Sequence, residues 1–463
     1  MLASACTNGD DSKTSNTTDD SGTTPDPVKP DGVSNLVVTP SDVYPSVFTV
    51  EWETDQAGTS LVEWGPSNRY GSATPSSSAT TTEHRVLVVG PKPGEITHFR
   101  AVSMIDGEDY GTEDQTFDAA GAPNDLPGLD VDEQVDGAYA TGLRGVALFG
   151  LLYGNELVDA DGDAVWWKGF EAGNDDQVVQ ARYFPDDKTK VAFMYNDVTR
   201  EQDLCRIETE RLDGTPLDSA LCEWGHHDFT ILADGRFAYL YADIRDYRGD
   251  QVVGDRVVLV DADGSNPTTI WNAWDELTPD ASIFENDPFY PDALDWTHGN
   301  SLNYDEGTNS LTLSLHNLNT IYNLSLTGEV NWRLGDEGDF DIEGNNTRFV
   351  HQHGAKLVPG TDNEVTLFDN GSGSDKSEAA HYRLNFDDMT AERVWSEDNG
   401  GRYTSFILGD AMTVGDGNYF VSWGSEGEVT EFTPDGDVVW RASGDLGTTT
   451  GYISMNPQLG GSY

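Results

Sequence analysis

The chain has little positive charge: its 463 residues include 26 Lys and Arg against 82 Asp and Glu, a formal net charge of −56. Nucleic acid and anionic lipid surfaces would repel such a protein, so neither is an expected partner. No apolar run approaches the roughly 18 residues that a bilayer crossing needs. The charge is typical of an acidic, halophilic protein, because high salt screens its self-repulsion.

Cysteine is also scarce, with three in the chain. Cys6 ends the segment MLASAC and precedes a polar stretch, which resembles the lipidated cysteine of a bacterial lipoprotein. We therefore expect an exported protein, either a cell-surface or periplasmic lipoprotein or a secreted one, with membrane contact only through a lipid at Cys6. A disordered tail with a stray cysteine is the alternative. In either case the composition predicts a disordered tether over residues 1–30.

The other two cysteines lie at equal distances from a turn. Asp213-Gly214 is a two-residue hairpin signal, and it would place Cys205 opposite Cys222 on the paired strands. A disulfide between them agrees with export. Two buried free thiols are the alternative.

Residues 31–119 contain short strand-like segments separated by turns, among them VFTVEW, SLVEW, HRVLVVG and THFRAVSM. β-Branched and aromatic residues dominate these segments, which predicts a small β-sandwich. The stretch GPKPGEITHFRAVSM resembles the late strands of a fibronectin type III domain, with His98 where such domains often have tyrosine. We expect this domain to be a spacer or docking module.

Residues 120–463 contain six copies of one pattern: an apolar strand, a turn with Gly or Asp, and a strand that ends in tryptophan. The final tryptophans are Trp167, Trp224, Trp271, Trp332, Trp395 and Trp440. With further strand pairs between the copies and a period of about 50 residues, the pattern predicts an all-β, six-bladed β-propeller. We expect the tryptophans to pack between blades. Acidic turns such as VDADGDAVWW resemble calcium loops, but their place on the repeating hairpin predicts solvated turns without metal.

Histidine is rare, with nine in the chain, yet three successive blades begin their inner strand with it. The segments are GHHDFTIL (His226, His227), DWTHGNSLNY (His298) and FVHQHGAKLV (His351, His353). Inner strands line the central channel, so these side chains are predicted to meet at one mouth. His351 and His353 are two positions apart and would face the same way on a regular strand. Such a cluster fits a metal site, an anion site, or a site with a nucleophilic imidazole.

Several spaced motifs resemble those of the bacterial aryl-sulfate sulfotransferases, in that family's order across roughly residues 140–445. They are HHDFTILADG, DWTHGNSLNY, LHNLNTIYNLSLTGEVNWRLG, FVHQHGAKLVPG and VTLFDNG. The resemblance implies a six-bladed propeller enzyme that moves a sulfuryl group from a phenolic sulfate ester to a phenol. The transfer would pass through a sulfated histidine in a ping-pong mechanism, with no nucleotide donor and no cofactor.

The resemblance also implies roles for individual residues. The Gln-His motif falls on Gln352 and His353, which makes His353 the expected nucleophile. The His-Asp motif falls on His227 and Asp228, and the His-x-Asn-Ser motif on His298, Asn300 and Ser301. His227 and His298 would bind sulfuryl oxygens or pass protons. The expected substrate-binding residues are Asn300, His226, His351 and Gln352.

Two positions depart from the family pattern. His316, a fourth expected catalytic residue, stands where the family usually has arginine, and Gly354 stands where it usually has an acid. If His316 takes over the role of the arginine cation, it does so only when protonated. The departures leave room for a non-catalytic surface propeller that binds a sulfated or aromatic ligand, and the histidine cluster leaves room for a metal-dependent enzyme. The sequence does not predict the oligomeric state.

Overall fold

The computed structural model describes residues 26–123, 126–149, 153–170, 176–197, 205–286, 290, 292–345, 347–372, 376–445 and 447–463. The predicted lipidation site, Cys6, lies outside these ranges. None of the helices within them has the length and apolar character that a membrane crossing requires.

Eight strands precede residue 119 and belong to two sheets. They are β1 (Val33–Pro40), β2 (Phe48–Gly58), β3 (Leu61–Gly65), β4 (Ser72–Ala73), β5 (Thr81–Val88), β6 (Ile96–Ile105), β7 (Glu108–Gly111) and β8 (Gln115–Asp118). One sheet has the order β1-β2-β5, and the other has β4-β3-β6-β7 with β8 on β6. Phe48 stacks on Phe117 between them, with ring centroids 4.2 Å apart. The predicted β-sandwich is confirmed, and its assignment to the fibronectin type III family stays a prediction.

The next strands form the first half of the second domain. They are β9 (Leu129–Gln134), β10 (Leu143–Phe149), β11 (Tyr153–Val158), β12 (Ala164–Gly169), β13 (Asp176–Tyr183), β14 (Lys190–Asp197), β15 (Cys205–Arg211), β16 (Pro216–Leu221), β17 (Gly225–Ile231), β18 (Phe237–Tyr247), β19 (Asp250–Val260), β20 (Thr268–Asn272), β21 (Glu285–Asn286) and β22 (Leu294–Asp295). Helical turns occur at α1 (Ala273–Glu276) and at a 3₁₀ helix, Ala281–Ile283.

The second half continues the pattern to the end of the described chain. Its strands are β23 (Gly299–Asp305), β24 (Ser310–Leu315), β25 (Thr320–Ser325), β26 (Val330–Gly335), β27 (Asp341–Ile342), β28 (His353–Leu357), β29 (Glu364–Asp369), β30 (Glu378–Asn385), β31 (Thr390–Glu397), β32 (Asp410–Val414), β33 (Asn418–Ser422), β34 (Glu428–Phe432), β35 (Val438–Gly444), β36 (Thr449–Asn456) and β37 (Gly460–Ser462). Its 3₁₀ helices are His316–Leu318, Asn399–Gly401 and Gly424–Glu426.

Six sheets follow one another around the second domain, and each is a propeller blade. From the inner strand outward they are β36-β10-β11-β12 (blade 1), β13-β14-β15-β16 (blade 2), β17-β18-β19 with β20 (blade 3), β23-β24-β25-β26 (blade 4), β28-β29-β30-β31 (blade 5) and β32-β33-β34-β35 (blade 6). The short strands β21 and β22, β27 and β9 extend blades 3, 5 and 6. The predicted six-bladed all-β propeller is confirmed.

The C-terminal segment joins both domains. Strand β36 pairs antiparallel with β10 and becomes the inner strand of blade 1, so hydrogen bonds close the ring of blades. Strand β37 then pairs with β5, with Gly460 opposite Val88, and adds a fourth strand to the first sandwich sheet.

The repeated tryptophans pack between blades in most copies, as predicted. Trp271 of blade 3 contacts Tyr322 of blade 4, with ring centroids 5.5 Å apart. Trp395 of blade 5 stacks on Tyr419 of blade 6 at 3.7 Å. The indole nitrogen of Trp440 donates to a carbonyl of blade 1, 2.8 Å away. Neighbouring blades therefore share one apolar core, which a single four-stranded sheet lacks.

Blades 1 and 2 differ from the predicted pattern. In blade 1 the fully buried residue is Trp166, whose indole nitrogen donates to Leu212 O of blade 2, while Trp167 is half-buried. Trp224 follows the end of blade 2 and has a left-handed backbone, with φ 55°. Its ring lies beside that of Tyr290, with the two centroids 6.4 Å apart.

The hairpin of β15 and β16 reaches the predicted register beyond a β-bulge: next to the turn Glu210 lies opposite Pro216, and the register shifts by one residue between Thr209 and Glu210. Arg206 lies opposite Leu221, and Ile207 lies opposite Ala220. Cys205 and Cys222 continue this register, and the structure joins them in a disulfide with Cα atoms 4.9 Å apart.

The acidic turn of blade 1 differs in part from its prediction. Asp159, Asp161 and Asp163 form a carboxylate group that is close enough to hold a metal ion. Lys92 of the sandwich extends into this group, with its ammonium 3.1, 2.7 and 2.8 Å from the three carboxylates. Asp161 and Asp163 are exposed, as expected for a solvated turn, but the turn is also ion-paired across the domain boundary. The sequence did not predict this pairing because Lys92 lies far away along the chain.

Candidate active site

Six of the nine histidines meet at one mouth of the propeller. Neighbouring rings have centroids between 4.4 and 5.4 Å apart, and the contacts run through His226, His227, His298, His316, His351 and His353. Five of these residues come from the start of the inner strands of blades 3, 4 and 5. His316 begins the 3₁₀ helix after β24. The sequence analysis named all six, and the structure brings them together.

The backbone at the entry to three inner strands is left-handed. His227, His298 and His351 have φ values of 55°, 48° and 58°. This conformation costs a non-glycine residue about 1–3 kcal/mol and is concentrated at functional sites. Its recurrence at the same point of three successive blades indicates that it positions the rings.

The left-handed residue also changes the relation of His351 to His353. Strand β28 begins at His353, so the expectation that both lie on one regular strand was wrong. The ring of His351 stacks on His316 at an interplanar angle of 8°. The ring of His353 meets the same imidazole nearly edge-on, at 77°. Both histidines therefore converge on His316 from different directions.

His353 is held in one tautomer by its neighbour Asn370. The two groups share a hydrogen bond of 2.8 Å between Nδ1 of His353 and Oδ1 of Asn370. Nδ2 of Asn370 donates to Ser405 O at 3.1 Å and to Leu408 O at 3.0 Å, which fixes the orientation of the amide. The amide oxygen must then accept, so Nδ1 of His353 carries the proton. A neutral imidazole in this tautomer has its lone pair on Nε2.

Burial keeps the two innermost imidazoles neutral. It lowers the pKa of His353 to about 4, while hydrogen bonds to Asn370 and to the backbone of His351 oppose this effect and the neighbouring His298 adds to it. Burial also lowers the pKa of His316 well below its usual value, with smaller contributions from His298 and His353. The direction of this shift favours the neutral imidazole of His316, so it gives no support to the hypothesis that His316 replaces an arginine charge.

Carboxylates hold the outer histidines of the mouth. Asp295 accepts hydrogen bonds from the backbone nitrogen of His298, at 3.0 Å, and from its Nδ1, at 2.6 Å. Nε2 of His226 lies 2.8 Å from Oδ1 of the buried Asp255. Asp255 also accepts from Gly299 N, at 2.6 Å, so it fixes the backbone beside His298. His226 and His227 share a hydrogen bond between their Nδ1 atoms, at 2.7 Å.

Asn300 and Gln352, both predicted to bind substrate, donate hydrogen bonds between blades 4 and 5, and the amide oxygen of each has no hydrogen-bond partner among the described residues. Both side chains are fully buried. Nδ2 of Asn300 donates to Gln352 O at 2.8 Å, and Nε2 of Gln352 donates to Ser314 Oγ at 2.9 Å. These bonds tie blade 4 to blade 5. The motif predicted the place of these residues along the chain but not the direction of their side chains.

Asp228 and Ser301 are also part of the framework. Both are fully buried. Each carboxylate oxygen of Asp228 lies 2.8 Å from an Arg182 guanidinium nitrogen, and one of them also accepts from Leu302 N. The pair thereby links blades 2, 3 and 4 below the mouth.

Gly354 has a structural reason to lack a side chain. Its φ is +63°, and a Cβ at this position would lie 2.3 Å from Oδ1 of Asp410 in blade 6. That carboxylate pairs with Lys356 at 2.5 Å. The place of the acid that the family usually has after Gln-His is therefore occupied by an acid from the next blade.

Sequence reasoning missed the residues that support the histidines. Asn370 lies in the quoted motif VTLFDNG, and Asp295 lies three positions before His298, but neither received a role. A signal was present in both cases, since an amide or carboxylate beside a histidine motif is its usual orienting partner. In the described ranges, the His, Cys, Asp and Glu groups with ligand atoms near enough for a metal comprise Asp159, Asp161 and Asp163 but none of these histidines.

Comparison with known protein families identifies the family of this domain. The family model described as "Arylsulfotransferase (ASST)" matches residues 153–442, which is more than half of the chain. The chain belongs to the arylsulfotransferase (ASST) family. The match spans all six histidines and Asn370, and it supports a sulfotransferase activity of the arylsulfotransferase type. No curated protein matches the chain.

Several solved structures resemble the chain at low identity. A protein of unknown function from Bacteroides caccae is 11% identical, with a TM-score of 0.43 over 68% of this chain and 98% of that one. A streptogramin B lyase is 12% identical, with a TM-score of 0.38 over 71% and 98% of the two chains. A protein from Lactobacillus plantarum is 14% identical, with a TM-score of 0.39 over 65% and 82%. We therefore base the propeller assignment of the arylsulfotransferase domain on its six sheets and not on these similarities.

Proposed function

We propose that the protein transfers a sulfuryl group from a phenolic sulfate ester to a phenol by a ping-pong mechanism, with His353 as the nucleophile. The observation that carries the proposal is the hydrogen bond from His353 Nδ1 to an amide oxygen of fixed orientation. It leaves a neutral imidazole with its lone pair on Nε2, inside a histidine-lined mouth of an arylsulfotransferase domain.

In the first half-reaction, Nε2 of His353 attacks the sulfur in line with the ester oxygen. The N–S bond forms as the S–O bond to the aromatic ring breaks, and a phenolate leaves. The sulfated ring keeps its Nδ1 proton, because Asn370 is a neutral acceptor and a poor base. The ring is therefore a cationic imidazolium, which is a good leaving group in the next step.

In the second half-reaction, a deprotonated phenol attacks the sulfur, the N–S bond breaks, and neutral His353 is restored. Negative charge develops on the phenolic oxygen and the sulfuryl oxygens during both steps, so nearby donors lower the barrier. We propose that His227 and His298 supply these donors or pass the phenolic proton. His298, held by Asp295, is oriented for such a role.

His316 is proposed to position the other rings. Its imidazole contacts His298, His351 and His353, and its Nδ1 lies 2.7 Å from Oδ1 of Asn317. In the neutral state that burial favours, it carries no charge to replace a guanidinium. The donor sulfate therefore meets a mouth in which His316 and His353 are neutral and Asp295 and Asp255 hold the outer rings.

A mass measurement tests the proposal. Incubation with an aryl sulfate and no acceptor should add one sulfuryl group to the protein, and a phenol should remove it. His353→Asn should abolish the adduct. The matched control is His98→Asn, in the sandwich, where His98 pairs with Asp114 at 2.8 Å and should not affect the adduct.

Other outcomes of this experiment would point to other functions. An adduct on another residue, or one that survives His353→Asn, would refute the nucleophile. Aryl sulfate binding without an adduct or transfer would indicate the alternative, a non-catalytic propeller. Loss of transfer on treatment with a chelator would indicate a metal-dependent enzyme.

We also propose that the protein is exported, with a lipid anchor at Cys6 or in secreted form, and that it works in high salt. The disulfide between Cys205 and Cys222 supports an oxidising compartment. The net charge of −56 supports a saline one.

A further inference from the structure

An aromatic residue recurs near the mouth in three successive blades. The aromatic residues are Trp296 in blade 4, Phe349 in blade 5 and Phe406 in blade 6. Each lies two positions before a residue with a left-handed backbone near the start of the inner strand, namely His298, His351 or Leu408. Trp296 and Phe349 are 1% and 2% exposed and belong to the cores between blades. Phe406 is 68% exposed, the largest fraction for a large apolar side chain in the described part of the chain. The next residue, Ile407, is 42% exposed.

The backbone beneath these two side chains is firmly anchored. Ser405 is fully buried, and its Oγ donates to Ile407 O at 2.9 Å. Its backbone nitrogen donates to Ser377 Oγ at 2.8 Å. Leu408 O accepts from Asn370 at 3.0 Å. The segment is thus held from below at both ends, and its two apolar side chains face outward from a fixed base.

The backbone of residues 405–408 also supports the proposed nucleophile. The carbonyl groups of Ser405 and Leu408 orient Asn370, and Asn370 orients His353. Asn370 therefore connects the segment that carries the exposed pair to the reactive ring of His353. Leu408, with φ 58°, also occupies the left-handed position that histidine occupies in blades 3, 4 and 5.

The rim of the mouth consequently has two chemical characters. It presents imidazoles in blades 3, 4 and 5, and it presents Phe406, Ile407 and Leu408 in blade 6. An aryl sulfate has the same division, since a charged sulfate group is joined to an apolar ring. Contact between these two exposed side chains and the aromatic ring of a ligand would be favourable, because apolar surface of the protein and of the ligand would both be removed from water.

We infer that Phe406 and Ile407 form the subsite for the aromatic ring of the substrate. This inference rests on the proposed function for its catalytic consequence. The sulfate group would lie among the histidines while the ring covers the blade 6 segment. Such contacts bind substrate and transition state about equally, because they lie away from the bond that breaks. They should therefore affect KM more than kcat.

The test compares phenyl sulfate with 2-naphthyl sulfate, whose larger ring would cover more of the pair. Phe406→Ala should raise KM by about 10-fold for the naphthyl ester and by less for the phenyl ester, with kcat nearly unchanged. Phe406→Leu should restore part of the loss. The matched control is Phe386→Ala, another exposed phenylalanine, which is 44% exposed on the outer part of blade 5 and should leave both KM values unchanged.

The outcomes separate this inference from the proposed function. If the unchanged protein transfers sulfate and Phe406→Ala has unaltered KM values for both esters, the inference is wrong and the function stands. If the unchanged protein forms no adduct and transfers nothing, the function is wrong. Calorimetric binding of 2-naphthyl sulfate then decides the subsite: weaker binding to Phe406→Ala supports it, and equal binding overturns it. Ile407→Ala gives a second variant if Phe406→Ala fails to fold.

Discussion

The amide oxygen of Asn370 lies 2.8 Å from Nδ1 of His353, and two carbonyl groups on the other side of the amide prevent it from turning over. The carbonyls belong to the connection that leads into blade 6, whereas His353 and Asn370 belong to blade 5. The state of the proposed nucleophile therefore depends on how two blades meet.

We expect Asn370→Ala to slow formation of the sulfated protein by about 10- to 100-fold, as for other residues that orient a reactive histidine. Without the amide, the ring of His353 loses its fixed tautomer and orientation. Single-turnover kinetics with an aryl sulfate measures this rate. The control is Asn363→Ala, since Asn363 of the same blade donates to Leu384 O away from the mouth. An unchanged rate for Asn370→Ala in a folded protein would show that the amide is only structural.

We expect the ring nitrogens of His353 to keep one state between pH 5 and 8. Its pKa of about 4 keeps the imidazole neutral in this range, and Asn370 keeps the proton on Nδ1. Nitrogen NMR of ¹⁵N-histidine-labelled protein should show a protonated Nδ1 and an unprotonated Nε2, with His353→Asn used to assign the signals. A titration near pH 6.5, or a proton on Nε2, would contradict the proposed nucleophile.

Because Glu156 is buried, we expect the folded protein to lose stability at alkaline pH. This residue lies on β11 between Val146 and Trp167, and neither of its carboxylate oxygens has a hydrogen-bond partner among the described residues. Burial raises its pKa to about 8. The unfolded chain releases this proton near pH 4.5 and the folded chain near pH 8, so stability is lost as pH rises between these values and stays low above them.

Replacement of Glu156 by the neutral glutamine should remove this loss. We expect Glu156→Gln to be more stable than the unchanged protein at pH 9, by at most about 4 kcal/mol, and to differ little at pH 5. Urea unfolding at the two pH values measures the difference, with the exposed Glu329→Gln as control. Equal stability at pH 9 would show that the carboxylate has another partner.

Lys92→Ala should destabilise the protein by about 1–3 kcal/mol, because it leaves three close carboxylates without their cation. High salt should reduce this deficit by screening the repulsion. Thermal unfolding from low to molar salt measures both effects, and the melting temperature of the unchanged protein should rise over the same range. The control is Lys190→Ala, which removes a single pair with Asp187 and should cost less than ~1 kcal/mol. A variant as stable as the control would show that the domains do not depend on Lys92.

The sequence predicted those features that short segments determine. The tryptophan repeat predicted six blades because each copy is a local hairpin with its own turn. The Asp213-Gly214 turn predicted that Cys205 lies opposite Cys222, which the structure confirms, although a bulge between Thr209 and Glu210 separates the register at the turn from the register at the cysteines. The histidines could be predicted to meet because the start of each inner strand has the same place in every blade.

The sequence did not predict what depends on contacts between distant segments. The partner of the acidic turn, Lys92, comes from another domain. The pKa of His316 depends on burial beneath neighbouring rings. The buried side chains of Asn300 and Gln352 follow from the way blades 4 and 5 join. In each case the sequence shows which residue is present, and only the packed structure decides what that residue contacts.

The last two strands also determine when the protein can finish folding. Residues 449–462 are synthesised after every other strand described, yet they supply the inner edge of blade 1 and the fourth strand of the sandwich. Five blades and most of both sandwich sheets can form during synthesis, but the circle cannot close until this segment arrives. A chain without residues 449–462 would have two unpaired sheet edges, one in each domain. Such edges pair readily with other chains, so this segment protects both domains against aggregation.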